Sequence, residues 1–216
     1  MTARQILSIR ALTVSAIVVV FSVSAKAAVT RTFVSTAGND ANTSAGCSPL
    51  APCRTFAAAL SETSAGGEIV VLTSGGYGPA TISQPVVITA IGIDASISVT
   101  TSGGNGITIN TPGNVTLIGL NLHGEGMGNN GILVQQVTFL RLFNVLIENF
   151  QMNGVDFEVS GNLAICNSEI NDNIVDGLEV NNASANVYVE NSSFGNNSVG
   201  AGVGRRMAHR PRICWS

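Results

Sequence analysis

Three carboxylates, Asp156, Glu158 and Glu179, have types and spacing that could do chemistry. Asp156 and Glu179 hold the same place in two triplets, Val155-Asp156-Phe157 and Leu178-Glu179-Val180, each opened by a glycine, Gly154 and Gly177. Glu158 follows Asp156 by two residues, so in an extended strand both face the same way. If the triplets stack as strands of neighbouring coils, ~4.8 Å apart, the three form a compact outward patch. Like charges that close are relieved by solvent, by a raised pKa or by a hard cation such as calcium. A separation of ~5 Å is also that of the two carboxyls in retaining glycosidases. Asp156, Glu158 and Glu179 are therefore candidates for carbohydrate or calcium contact, and Asp156 with Glu179 for catalysis. The plainest reading is a solvated acidic face, with no cofactor required and calcium the one cation to consider.

The elements that must position these groups recur along the chain. Gly106, Gly131, Gly154, Gly177 and Gly200 are spaced by 25, 23, 23 and 23 residues. Each opens a triplet that points inward, outward and inward, such as Ile107-Thr108-Ile109 and Ile132-Leu133-Val134. A second register holds Leu117-Ile118-Gly119, Leu142-Phe143-Asn144, Ile165-Cys166-Asn167 and Val189-Glu190-Asn191, followed by Leu122, Ile147, Ile170 and Phe194. A period near 23 residues without helical spacing predicts short strands joined by corners, stacked as a parallel solenoid. Ile107, Ile132, Val155, Leu178, Ile109, Val134, Phe157 and Val180 should then be buried, and Thr108, Leu133, Asp156 and Glu179 exposed. Asn144, Asn167 and Asn191 are expected to form an amide ladder at one bend.

These repeats resemble the right-handed parallel β-helix of the pectate-lyase-like superfamily, over roughly residues 67 to 204. The preceding segment, with Thr32-Phe33-Val34-Ser35, Gly38-Asn39-Asp40, Arg54-Thr55-Phe56-Ala57-Ala58-Ala59-Leu60 and Gly67-Glu68-Ile69-Val70-Val71-Leu72, is similar to the start of secreted bacterial β-helix repeat proteins. The resemblance implies an all-β fold with a short N-terminal capping helix, in which Phe56, Ala59 and Leu60 plug the first coil. It also implies polysaccharide chemistry, yet the motifs that carry that chemistry are missing. Where polygalacturonase-like relatives present Asn-Thr-Asp, paired aspartates and Gly-His-Gly, this chain has Asn110-Thr111-Pro112 and His123-Gly124. A lyase base beside calcium is not assembled either, because Arg141 is the only basic residue within the repeats and belongs to another strand than Asp156. His123 with Glu125 could pair as acid and base, but a histidine at a coil corner is the simpler account.

Arg4 and Arg10 precede an apolar run over 11–23 that ends in Ala25-Lys26-Ala27. A run this short with a small-x-small end reads as a secretory signal peptide over 1–27, cleaved after Ala27, and no later run approaches membrane length. The expected organisation is then a cap over 28–66 with a disulfide loop and helix, coils over 67–204, and an off-register tail over 205–216. Export permits disulfides, and Cys47 and Cys53 are expected to staple the entry loop. Cys166 shares a row with Ile118, Phe143 and Glu190 and reads as a packed cysteine; whether it pairs with Cys214 is left open by spacing.

Between residues 28 and 204 all thirteen acids face only Arg31, Arg54 and Arg141, a net charge of −10. Nucleic-acid binding is thereby excluded as a partner class, since phosphate capture needs a basic face. The same balance disfavours unaided capture of a polyanion such as pectate. The tail holds Arg205, Arg206, Arg210, Arg212 and the only tryptophan, Trp215, and reads as a truncated or frame-disturbed end rather than a basic functional arm. Five Asn-x-Ser/Thr sequons follow from an Asn- and Ser-rich composition. The outward row Thr108, Leu133, Asp156, Glu179 is not the threonine array of an ice-binding face.

The expectation is a secreted, periplasmic or cell-surface β-helix protein, non-catalytic, contacting extracellular carbohydrate or the cell envelope through its outer face. The alternatives are a polysaccharide lyase or glycoside hydrolase, and a structural or adhesin-like segment. Phe143 and Tyr188 are the outward aromatics available to stack on a sugar.

Overall fold

The computed structural model describes residues 29–203; the expected signal peptide over 1–27 and the expected off-register tail over 205–216, with Cys214 and Trp215, lie outside the described residues. All named strand pairings are parallel, and the described strands form three sheets of seven, six and five strands that the chain visits in turn. This is the three-faced solenoid that the repeat predicts. The six-stranded sheet contains Ala80–Ile82, Ile107–Asn110, Ile132–Gln136, Val155–Phe157, Asp176–Val180 and Val199–Val203.

Alternation in these strands decides the core. Ile107, Ile132, Val155 and Leu178 stack in one row along the coils, and Ile109, Val134, Phe157 and Val180 in another. All eight are buried, most of them completely. Outward positions are Thr81, Thr108, Leu133, Asp156 and Glu179, paired one above the next. Stacked side chains shade one another, so Thr108, Leu133 and Glu179 are half-buried rather than exposed. Asp156 departs further from expectation: it is only 7% exposed, because its short side chain sits between the longer Leu133 and Glu179.

The recurrent glycine answers to close stacking. A Cβ on Gly131 would lie 2.3 Å from Ile147 Cγ2 and 2.5 Å from the carbonyl oxygen of Gly154, and one on Gly154 would lie 2.3 Å from Ile170 Cγ2 and 2.7 Å from the carbonyl oxygen of Gly177. Neither has positive φ, so space rather than backbone conformation demands glycine.

The asparagine ladder is displaced from its expected place. Asn144, Asn167 and Asn191 take left-handed φ values of 53°, 50° and 48°, which turn the chain at each bend. The side-chain ladder lies one residue before the glycines instead. Asn130 N–H donates to Asn105 Oδ1, Asn153 N–H to Asn130 Oδ1 and Asp176 N–H to Asn153 Oδ1, each at 3.1 Å. Asn130 and Asn153 are buried, where the corner turns inward and backbone donors would otherwise lack partners.

At the N-terminal end a seven-residue helix, Phe56–Glu62, buries Phe56, Ala59 and Leu60. The Thr55 hydroxyl accepts from Ala58 N–H, while the Asp40 carboxylate accepts from the Arg54 and Thr55 amides. Cys47 and Cys53 are disulfide-bonded, as expected, with Cα atoms 4.9 Å apart.

Candidate functional site

Asp156 and Glu179 pair directly across the six-stranded sheet, on strands Val155–Phe157 and Asp176–Val180. Glu158 follows the first strand, is exposed, and donates its N–H to the Val134 carbonyl at 3.2 Å. The structure thus brings all three predicted carboxylates together. Burial pushes the Asp156 carboxyl up to about 6, and the charges of Glu158 and then Glu179 push the same way, against hydrogen bonds from Asn153 and Asn181. Asp176 is also raised, by desolvation first and then by Glu179.

Asn153 is the residue that sequence reasoning missed. It is fully buried, donates from Nδ2 to Glu179 Oε2 at 2.5 Å, and accepts the Asp176 N–H on Oδ1. One amide therefore links the interior ladder to the acidic face and fixes the Glu179 carboxylate. Its signal was present in the sequence, since Asn105, Asn130, Asn153 and Asp176 each precede a repeat glycine. Asn181 adds a longer contact from Nδ2 to Asp156 Oδ1, 3.4 Å.

Among the described residues, no three His, Cys, Asp or Glu side chains converge as metal ligands. The three carboxylates line one outer face and do not close around a single point. An open depression of about 450 Å³ lies further along the same sheet, lined by Ala57, Pro79, Thr81, Asn105 and Thr108. From Thr81 to Glu179 the outward row spans four rungs, ~19 Å.

Two other expectations change. His123 pairs with Glu148 of the next coil, Nδ1 to Oε1 3.0 Å, while Glu125 occupies an exposed turn at φ 51°. Across-coil register, invisible without the fold, selects the partner. Phe143 and Tyr188 do point outward, but from the seven-stranded sheet, away from the carboxylates. Tyr188 is 6% exposed and Phe143 is half-buried, packed with Ala164, Cys166 and Phe139. Arg141 lies on that same sheet, its guanidinium carbon 5.1 Å from the Phe139 ring centre.

The family model described as a right handed beta helix region matches residues 66–209. The chain belongs to the right-handed β-helix family. A solved structure titled "Crystal structure of pectate lyase Pel9A" is similar at 14% identity, covering 84% of this chain and 73% of that one, with a TM-score of 0.40. That likeness carries no argument about activity. No curated protein matches the chain. As a right-handed β-helix, the protein carries three outer sheet faces, and the six-stranded one holds the carboxylate cluster.

Proposed function

We propose that the protein is exported and contacts extracellular carbohydrate or the cell envelope, without catalysis, through the outer face of its six-stranded sheet. The observation that carries this reading is the stacked pair Asp156 and Glu179 on that face, with Glu158 exposed beside them and Asn153 and Asn181 hydrogen-bonded to the two carboxylates. The half-buried Glu179 carboxylate, held by the buried Asn153 amide, and the exposed Glu158 suit the hydroxyls of a glycan laid along the solenoid, because Glu179 is ordered before the ligand arrives. Export is supported by the charged, apolar and small-residue pattern of 1–27 and by the Cys47–Cys53 disulfide.

One observation favours a second reading, a glycoside hydrolase: Asp156, raised to about 6, stands beside Glu179, whose charge contributes to that rise. A carboxyl with raised pKa beside a second carboxyl is the pattern of a general acid and its partner. Against it, the pair sits on a sheet face, with Asp156 shaded by Leu133 and Glu179 rather than opened into a cleft. Glycan-array binding of the chain lacking residues 1–27, with calcium and with chelator, tests the first reading. Binding to neutral glycans that survives chelation and is lost in D156N/E179Q is expected; a calcium requirement would move the cluster to cation binding, and no binding to any glycan would reject carbohydrate contact.

A further inference from the structure

The outer face of the five-stranded sheet stacks a serine, a histidine and a glutamate on three successive coils. Ser98 ends strand Ala95–Ser98, His123 ends Leu120–His123 and Glu148 ends Leu146–Glu148. Ser98 pairs with His123 and His123 with Glu148, and all three point outward and are half-buried. His123 Nδ1 lies 3.0 Å from Glu148 Oε1. A carboxylate there holds the ring proton on Nδ1 and leaves the lone pair on Nε2. Nε2 lies across the ring axis from Nδ1, so it is turned toward the preceding coil, which is that of Ser98. Coils are ~4.8 Å apart, a gap that rotation of the serine hydroxyl about χ1 closes to hydrogen-bond reach. Neither the Ser98 hydroxyl nor Nε2 is bonded to any other group among the described residues.

We propose that Ser98, His123 and Glu148 act as nucleophile, base and orienting carboxylate in the hydrolysis of small acyl esters. His123 Nε2 takes the proton of Ser98 Oγ as Oγ bonds to the acyl carbon. It gives that proton to the alkoxy oxygen as the bond from the acyl carbon to that oxygen breaks, releasing the alcohol. Water then attacks the acyl-serine and loses a proton to Nε2, the carboxylic acid departs, and the proton returns to Oγ. Glu148 touches no reacting atom and is a positioning residue. The turn after Ser98 leaves the backbone amides of Thr100, Thr101 and Ser102 without an acceptor among the described residues, so these donors are free for an oxyanion. Side-chain exposures of 29% for His123 and 26% for Glu148 leave the row open to an ester in solution, unlike the shaded Asp156. The row lies on a different sheet from the carboxylate cluster, so this activity goes beyond glycan contact and does not rest on it.

Two probes test the row on the full chain. A fluorophosphonate should phosphonylate Ser98 with loss of fluoride, located by peptide mass spectrometry, and p-nitrophenyl acetate should be hydrolysed faster than in buffer alone. S98A, which removes only an outward hydroxyl, should lose both the label and the excess hydrolysis. H123Q should lower the hydrolysis by about 10²–10⁴-fold and serves if S98A fails to fold. E148Q should lower kcat with KM unchanged, which partial unfolding would not do. Ester cleavage yields neither reducing ends nor unsaturated products, so its failure is read separately from a failure of glycan contact. No label at Ser98, or hydrolysis by folded S98A or H123Q equal to that of wild type, would overturn the proposal.

Discussion

At Asp156, a carboxyl kept among carboxylates has a measurable pH signature. The native protein holds the Asp156 proton up to about pH 6, whereas the unfolded chain releases it near ~3.9. Between those values the native state binds more protons, so this group's contribution falls as pH rises through the window, by on the order of 1–3 kcal/mol. D156N should remove that slope and raise the denaturation midpoint at pH 7–8 relative to wild type, measured by chemical unfolding across pH 4–8. A wild-type stability that rises through the same window by way of Asp156 would contradict the burial account. Asn153 works oppositely. N153A leaves the Asp176 N–H and the Glu179 carboxylate without their partner and should cost about 1–3 kcal/mol. The carboxylate trio was legible from the glycine register alone, but the depth of Asp156 was not, because shading depends on the lengths of Leu133 and Glu179 above and below it. His123 shows the same limit: Glu125 is its neighbour in sequence, and Glu148 is its partner in space.

Individual strands of three to five residues acquire stability only by stacking. Phe157 fills the interior of one such rung and is fully buried, so F157A should cost about 3–5 kcal/mol. G154A should destabilise by about 1–3 kcal/mol through overpacking, since the added methyl meets Ile170 and the Gly177 carbonyl. A neutral G154A in thermal denaturation would remove the close-stacking explanation of the repeat. The triplets made the inward residues readable, because period-two alternation admits one assignment once a face is buried. The amide ladder was harder to place. Asn144, Asn167 and Asn191 align just as well in sequence as Asn105, Asn130 and Asn153, and only backbone conformation separates the bends from the ladder.

Across the described coils, three parallel sheets hold the carboxylate cluster and the outward aromatics Phe143 and Tyr188 on different faces. The family was legible from repeat length and entry segment, whereas the chemistry was not, since a β-helix hosts contact surfaces and active sites on the same scaffold. Separating those two uses requires following both binding and product. The most direct measurement incubates the chain lacking residues 1–27, and its D156N/E179Q variant, with neutral and acidic glycans, recording bound ligand together with reducing ends and unsaturated products. A non-catalytic contact face predicts that wild type binds a glycan and releases no product, while the folded variant no longer binds. Product released by wild type and lost by orders of magnitude in the folded variant would contradict it, and would make Asp156 and Glu179 a catalytic pair.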